Sequence, residues 1–180
     1  MVMVTMSSIY IIGSLRNPKV PEVGEALRRA GWDAFDDWYS ASEDADDWLR
    51  DYYQKRQFSY KEMLNSFAAK HIFAFDKHHL DRCDVGLLVM PAGKSGHMEL
   101  CYMAGQGKPC YVLFDKEPER VDIMYQFAND VFFSMEELLE GISGRPDARQ
   151  KELQLPFVYG SGTPLTKHGP LRFQSSTTGH

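Results

Sequence analysis

The sequence has no basic excess and few cysteines. Lys and Arg number 20 against 25 Asp and Glu in 180 residues, which gives a net charge of −5. A polynucleotide partner usually requires a basic patch, so we do not expect a nucleic-acid polymer to bind. The three cysteines are Cys83, Cys101 and Cys110. Their odd number and the absence of C-x-x-C spacing disfavour disulfides and a metal site, and they are typical of a reducing compartment.

Long hydrophobic runs are also missing. No apolar segment approaches the roughly 20 residues that span a bilayer, so we expect no membrane contact. Met1–Met6 lacks the charged and apolar regions of a secretory signal. These absences predict a cytoplasmic protein.

The sequence lacks a recognisable metal or cofactor motif. His78, His79 and His97 include no histidine pair with an acidic third ligand at a usual metal-binding spacing. The glycine turn Gly13-Ser14-Leu15-Arg16-Asn17 lacks the spacing of either common phosphate-binding fingerprint. We therefore expect no metal and no cofactor.

What is present is an alternation of short apolar runs with helical patterns. The alternation predicts an α/β fold, a doubly wound, flavodoxin-like parallel sheet of five strands with helices on both faces. We expect one domain over residues 1–142 and a mostly disordered tail over 143–180, which is rich in Gly, Pro, Ser and Thr. The predicted strands are Ser8–Ile12, Trp32–Phe35, Asp84–Met90, Pro109–Phe114 and Val131–Phe133. The predicted helices are Val20–Ala30, Ser59–Phe73, His97–Gln106, Arg120–Phe127 and one opened by a capping box at Ser134.

The acidic and aromatic stretch Tyr39–Arg56 does not fit this alternation. We expect a helical insertion that covers the site. Its Trp48, Tyr52 and Tyr53 are candidates to wall a pocket for a flat ligand, although aromatic residues at helical spacing more often serve packing.

The chain is organised around residues 75–109. The buried strand Asp84–Met90 is followed by the turn Pro91–Gly96 and then by the helix that contains Glu99. We expect Glu99 in the first turn of that helix, at the carboxyl end of a parallel strand, where open α/β sheets bind their ligands.

Other side chains that could take part in binding or catalysis are expected at the same carboxyl edge of the sheet. They follow the first and second strands or flank the third: Tyr10, Gly13, Ser14, Arg16, Asp36, Asp37, Asp76 and Glu99. Two carboxylates in a cleft suit glycosidic bond cleavage, one as nucleophile and one as acid. The backbone amides at Gly13–Arg16, with the Arg16 guanidinium, suit an anion such as a sugar phosphate.

Structural interpretations of the same residues stay open. Glu99 is also placed to complement a helix dipole, and Asp76 and Asp84 are suited to capping. Arg16 on a surface turn is often only solvated.

At these residues the sequence resembles the nucleoside 2-deoxyribosyltransferases and their relatives, the 2′-deoxynucleoside 5′-phosphate N-hydrolases and hydroxymethyl-CMP hydrolases. The resemblance covers about Ile9 to Leu139 and is strongest in SGHMELCYMAGQGKP. It implies that Glu99 is the nucleophile that attacks C1′ and that Asp76 protonates the leaving base. The opening IYIIGSLRN resembles that of the nucleotide N-hydrolases. By that resemblance Tyr10 lies near the nucleophile, and Gly13, Ser14 and Arg16 hold a 5′-phosphate.

Two departures from the transferases bear on specificity. Where they carry another acidic residue, this chain has Gly93-Lys94-Ser95, and Lys94 and Ser95, with the neighbouring Gly96, resemble phosphate contacts. Asp122 stands where the transferases have an asparagine that reaches a neighbouring subunit's site. The resemblance therefore implies a homo-oligomer and a nucleoside or nucleotide substrate.

The resulting hypothesis is an enzyme that cleaves N-glycosidic bonds through a glycosyl-Glu99 ester, which water or a second base resolves. Two other hypotheses remain: a nucleotide-binding sensor without chemistry, and an NAD-cleaving glycosidase on a similar scaffold.

Overall fold

The computed structural model describes residues 7–143, which form a five-stranded sheet with helices around it. The strands are β1 (Ser8–Ile12), β2 (Asp33–Phe35), β3 (Val85–Val89), β4 (Cys110–Leu113) and β5 (Asp130–Phe132). All neighbouring pairs are parallel, in the order β2-β1-β3-β4-β5. This is the flavodoxin-like order, so the fold predicted from the sequence is confirmed.

The helices are α1 (Lys19–Arg29), α2 (Ala45–Gln54), α3 (Tyr60–Leu64), α4 (Phe67–Arg82), α5 (Lys94–Gly105) and α6 (Met135–Ile142). Two 3-10 turns, Asp37–Ala41 and Ile123–Phe127, complete the described elements.

The alternation of side chains along β1 builds two separate cores. Ile9 and Ile11 face one side of the sheet, where α1 and α6 pack, for example through Leu27 and Leu138. Tyr10 and Ile12 face the other side, where they meet residues of α4 and α5: Leu80, Leu100 and Met103. The helices that follow β1 and β3 therefore lie on opposite faces, the arrangement that places a ligand crevice at the carboxyl ends of two such strands in doubly wound sheets.

Two helix boundaries differ from the sequence prediction. The helix expected over Ser59–Phe73 is two helices, because Ser66 caps a new one by accepting a hydrogen bond from the Ala69 amide. That second helix, α4, continues through Asp76 to Arg82. The helix expected from His97 begins at Lys94, three residues earlier, because Gly93 serves as its N-cap.

The insertion after β2 is helical, as predicted. It comprises the 3-10 turn Asp37–Ala41 and α2, and Trp38 anchors it by donating a hydrogen bond to the Ile11 carbonyl at 2.8 Å. The predicted tail, residues 143–180, lies outside the described residues except for Ser143.

Candidate functional site

Glu99 lies in the second turn of α5, one turn further along than expected, because the helix begins at Lys94. The favourable effect of a carboxylate on the helix dipole falls off within the first turn. A dipole role therefore explains Glu99 poorly. In the part of the chain that the structure describes, its carboxylate has neither a hydrogen-bond donor nor an ion-pair partner.

Asp76 lies in the middle of α4, so it caps no helix. Its side chain is half-buried and, among residues 7–143, has no ion-pair or hydrogen-bond partner either. The other aspartate, Asp84, also caps no helix: it accepts hydrogen bonds from the amide and hydroxyl of Ser8 and so ties the start of β1 to the start of β3, at the opposite end of the sheet.

The two carboxyl groups lie close enough to affect each other. Burial, together with the nearby charge of Asp76, raises the pKa of Glu99 to about 7. Burial raises the pKa of Asp76 to about 6. Strongly raised carboxyl pKa values in a partly enclosed place are typical of sites that move protons.

Tyr10 joins this pair from β1, which lies between β2 and β3 in the sheet. Its ring is buried against Phe35, with the ring centroids 5.3 Å apart. Burial raises the pKa of Tyr10, and the charges of Glu99 and Asp76 raise it further, so the hydroxyl stays protonated. The structure therefore brings the three predicted catalytic residues together, with Tyr10 available as a hydrogen-bond donor.

Aromatic rings border this cluster on the side of β2 and α4. His79 stacks on Phe35 at 3.8 Å between centroids, and Phe75, next to Asp76, lies 4.7 Å from the His79 ring. Burial lowers the pKa of His79, so it is neutral at pH 7. These flat ring surfaces lie beside Asp76.

The turn after β1 differs from the anion site expected there. The Arg16 amide donates to the Ser14 hydroxyl oxygen, the Asn17 amide to the Ser14 carbonyl, and the Lys19 amide to the Asn17 side chain. Because these amides already have acceptors, the start of α1 offers few free donors to a phosphate. Gly13 is required at its position, since a Cβ there would approach Val20 Cγ2 to 2.5 Å.

Asn17 is a structural residue of the site that the sequence did not reveal. It is buried, and its amide nitrogen donates to the carbonyls of Val89 and Pro91 at 3.3 and 3.2 Å. Asn17 thereby fixes the turn after β1 against the turn after β3. Asn17 belongs to the motif IYIIGSLRN, which marked it as a candidate, but the sequence alone assigned it no role.

The start of α5 is the better candidate for anion binding. No side chain caps this helix, and the amides of Lys94, Ser95 and Gly96 have no acceptor in the described part of the chain. Gly96 packs closely against β1, because a Cβ there would lie 3.2 Å from Ile12 Cγ2. The predicted residues Lys94, Ser95 and Gly96 therefore adjoin the end of β1, near Gly13.

Arg16 has a partner that the sequence did not predict. Its Nη2 donates to Asp47 Oδ2 in α2 at 3.0 Å, and both side chains are about half exposed. The insertion thus reaches the turn after β1 through this ion pair. Two of the aromatic residues considered as pocket walls, Trp48 and Tyr52, are largely exposed, whereas Tyr53 packs on Phe58.

Asp122 is not part of the carboxylate cluster. It caps the 3-10 turn Ile123–Phe127 by accepting a hydrogen bond from the Met124 amide. That turn is tied to α5, because the Tyr125 hydroxyl lies 3.0 Å from His97 Nε2.

Asp36 and Asp37, expected at the carboxyl edge, do not join the cluster. Asp36 is buried and accepts two hydrogen bonds from the Arg28 guanidinium of α1, at 2.8 and 3.2 Å. Asp36 therefore serves the packing of α1 on β2. Asp37 is exposed at the start of the 3-10 turn Asp37–Ala41.

A search of residues 7–143 for groups of His, Cys, Asp or Glu arranged to hold a metal ion finds none. Within the same range, no helix is long and apolar enough to cross a membrane.

Comparisons with known proteins give a structural likeness without a sequence match. No protein-family model matches the chain, and no curated protein matches it. The chain is similar in structure to the 2-deoxyribosyltransferase of the psychrotolerant bacterium Bacillus psychrosaccharolyticus, with 18% identity, a TM-score of 0.50 and coverage of 74% of this chain and 90% of that one. It is also similar to the Clostridium botulinum CMP N-glycosidase BcmB, with 12% identity, a TM-score of 0.47 and coverage of 76% and 98%. The first of these names the same kind of protein as the sequence resemblance, and at this identity the likeness shows the shared α/β fold.

Proposed function

We propose that this protein is an enzyme that cleaves the N-glycosidic bond of a nucleoside, a deoxynucleoside or the corresponding 5′-monophosphate. One observation carries the proposal: Glu99 and Asp76 are half-buried, lack partners among residues 7–143, and have pKa values raised to about 7 and about 6. Burying carboxyl groups without partners destabilises a fold, so a chemical role is the economical explanation.

In the proposed mechanism ionised Glu99 attacks C1′ of the sugar. A bond forms between a Glu99 oxygen and C1′ while the C1′–N bond breaks, and its electron pair leaves with the base. Asp76 donates a proton to the departing base. The product of this half-reaction is a glycosyl ester on Glu99 and an ionised Asp76.

In the second half-reaction a nucleophile attacks C1′ and the ester bond to Glu99 breaks, which releases the carboxylate. Asp76 accepts the proton that the nucleophile loses. Water gives hydrolysis, and a second nucleobase gives transfer. Configuration at C1′ is retained after two displacements.

The first step needs Glu99 ionised and Asp76 protonated, so the two carboxyl groups must together carry one proton, and that proton must be on Asp76. The two carboxyl groups titrate as a coupled pair, so at neutral pH they share about one proton. In the free protein burial favours the proton on Glu99, whose pKa is the higher. A base bound at Asp76 and the positive charge developing at C1′ both favour its move to Asp76. Tyr10, protonated and close to Glu99, is the donor that orients the nucleophile.

Substrate specificity in this proposal comes from two groups of residues. Gly13, Ser14 and Arg16 after β1, with Lys94, Ser95 and Gly96 at the start of α5, contact the 5′ end of the sugar. The free amides at the start of α5 and the cation Arg16 favour a phosphate there.

We further propose that the protein acts in the cytoplasm as a homo-oligomer in which Asp122 contacts a neighbouring subunit's site. Asp122 lies beside exposed apolar side chains, Val121, Ile123 and Met124, as expected at an interface. The three cysteines form no disulfide, which suits a reducing compartment.

The experiment that tests this function is release of free base from purified protein. The panel contains ribonucleosides, deoxynucleosides, their 5′-monophosphates and NAD. We expect release from at least one nucleoside or monophosphate and its loss, by at least about a thousandfold, in Glu99→Gln, because a nucleophile has no substitute. A 2′-fluoro substrate should leave the mass of its sugar on the peptide that contains Glu99.

Glu117→Gln is the matched control, because Glu117 is exposed in the loop after β4. It should release base at the wild-type rate. Binding of monophosphates without release of base would favour the sensor, and release of nicotinamide alone would favour an NAD-cleaving glycosidase. Near-normal turnover in Glu99→Gln would rule out the covalent mechanism.

A further inference from the structure

The only cation that the turn after β1 offers to a phosphate, within residues 7–143, is already paired. Arg16 Nη2 donates to one oxygen of Asp47, and Arg50 Nη1 donates to the other oxygen at 2.8 Å. Arg50 thus holds the Asp47 carboxylate in position against Arg16. A carboxylate stands where a substrate phosphate would bind this guanidinium.

The Arg16–Asp47 pair is weak enough to be exchanged. Relative side-chain exposure is 53% for Arg16 and 41% for Asp47, so water and salt screen their attraction. A phosphate carries up to two charges and binds a guanidinium through two parallel hydrogen bonds, which makes it the stronger partner.

The segment that contains Asp47 is buried at its far end and exposed at its acidic beginning. Its far end is held, because Tyr53 is buried and packs on Phe58 with ring centroids 5.1 Å apart. Its beginning, Glu43-Asp44-Ala45-Asp46-Asp47, carries four acidic residues. Two residues that flank α2, Ser42 and Gln57, have φ values of 77° and 59°, a region costly for residues other than glycine.

We propose that Asp47 is an internal competitor for the substrate's phosphate: it pairs with Arg16 in the free protein and yields Arg16 to the 5′-phosphate of the substrate. This inference rests on the proposed function of the Glu99 site. A ligand that offers only a phosphate has to displace Asp47 without further contacts. A nucleoside monophosphate gains contacts at its sugar and base as well. Asp47 thereby lowers the affinity of the site for all phosphate ligands alike, and inorganic phosphate, which has no other contacts, is left as the weakest of them.

The test compares Asp47→Asn with Asp46→Asn in the full chain. Both variants remove one charge from the first turn of α2, but Asp46 is exposed and makes no contact with Arg16. The probes are inorganic phosphate, deoxycytidine and deoxyadenosine 5′-monophosphates, and the matching nucleosides. Binding is measured by calorimetry at fixed ionic strength.

We expect Asp47→Asn to tighten binding of phosphate and monophosphates about three- to fivefold, the range that loss of an exposed competing ion pair allows. Asp46→Asn should change it less than twofold. In an Arg16→Ala background the Asp47→Asn effect should disappear, because its site of action is gone.

Equal effects of the two substitutions, persistence of the effect without Arg16, or no phosphate binding by any variant would each overturn the inference. The readout is binding, so it is independent of catalysis. Tighter phosphate binding in Asp47→Asn together with no base release by wild type would support Asp47 and refute the proposed activity. Base release by wild type, with no difference in phosphate binding between Asp47→Asn and Asp46→Asn, would support the proposed activity and refute the role of Asp47.

Discussion

At the scale of single residues, the Glu99 and Asp76 carboxyl groups work against the stability of the fold. Each is removed from water without a compensating partner in the described part of the chain, so the ionised form is disfavoured in the native state. The pKa of Glu99 is about 7 in the native protein and about 4.3 in an unfolded chain. Native protein therefore binds more protons than unfolded protein between these values.

The sign of the pH dependence follows from this difference. The free energy of unfolding should fall as pH rises from about 4.5 to about 7. Glu99→Gln removes the ionisable group, so we expect the variant to be more stable than wild type at pH 8, by about 1–3 kcal/mol, and to differ little at pH 5. Urea unfolding of wild type and variant at pH 5 and pH 8 measures this difference in the free energy of unfolding.

The control for this prediction is again Glu117→Gln, which removes the same charge from an exposed loop. It should change stability equally at both pH values. If the effect of Glu99→Gln on the free energy of unfolding is the same at pH 5 and pH 8, the pKa of Glu99 is not raised in the native protein. The argument for its chemical role then fails.

The sequence predicted some residue contacts and missed others for a physical reason. Tyr10 and Glu99 could be placed together because parallel strands end at one edge of a sheet. The Arg16–Asp47 pair joins residues 31 positions apart through an irregular insertion, and no periodicity encodes that contact. Asp36 could not be distinguished from a site residue, because its partner Arg28 becomes visible only when α1 is packed on β2.

At the scale of elements, the packing of α1 depends on a glycine. A Cβ at Gly24 would lie 2.1 Å from Asp36 Oδ2 and 2.9 Å from its Cγ. Asp36 is held there by Arg28, so any shift breaks that bidentate pair. Gly24 therefore permits α1 to lie close to the end of β2.

We expect Gly24→Ala to destabilise the protein by about 1–3 kcal/mol, although alanine is the better helix former by about 1 kcal/mol. Gly105→Ala in α5 is the matched control, because a Cβ there meets nothing within 4 Å. That control should leave stability unchanged or raise it by up to about 1 kcal/mol. Thermal unfolding of the two variants measures both effects, and a neutral Gly24→Ala would contradict the close packing.

Element types were predictable, but boundaries near the site were not. The strands are marked by apolar runs, and all five were placed to within one residue at their described ends. The start of α5 was placed three residues late because Lys94 and Ser95 after Gly93 have the composition of a turn. Ser66 separates α3 from α4 through a single capping hydrogen bond. One serine within a helical pattern does not reveal from sequence alone that a new helix begins there.

At the scale of the whole molecule, the described chain leaves a large apolar surface uncovered. The side chains concerned lie on α3 and α4, where Tyr60, Leu64, Phe67 and Phe73 are each more than 60% exposed. Exposed apolar surface of this kind is often found at protein–protein interfaces. The patch also lies on the helix that carries Asp76, so a subunit packed there would adjoin the proposed site.

We expect the wild-type protein to elute as a multiple of 20.6 kDa in size-exclusion chromatography with light scattering. The double variant Phe67→Glu/Phe73→Glu should elute at the monomer mass, because charges in a buried apolar interface carry a large desolvation penalty. Trp48→Glu is the control, since Trp48 is 71% exposed on α2, outside this patch. If Asp122 completes a neighbour's site, the monomeric variant should also lose base release, whereas Trp48→Glu should keep both its assembly and its activity. A wild-type monomer at all concentrations would refute the oligomer, and an active monomeric variant would show that the site is complete within one chain.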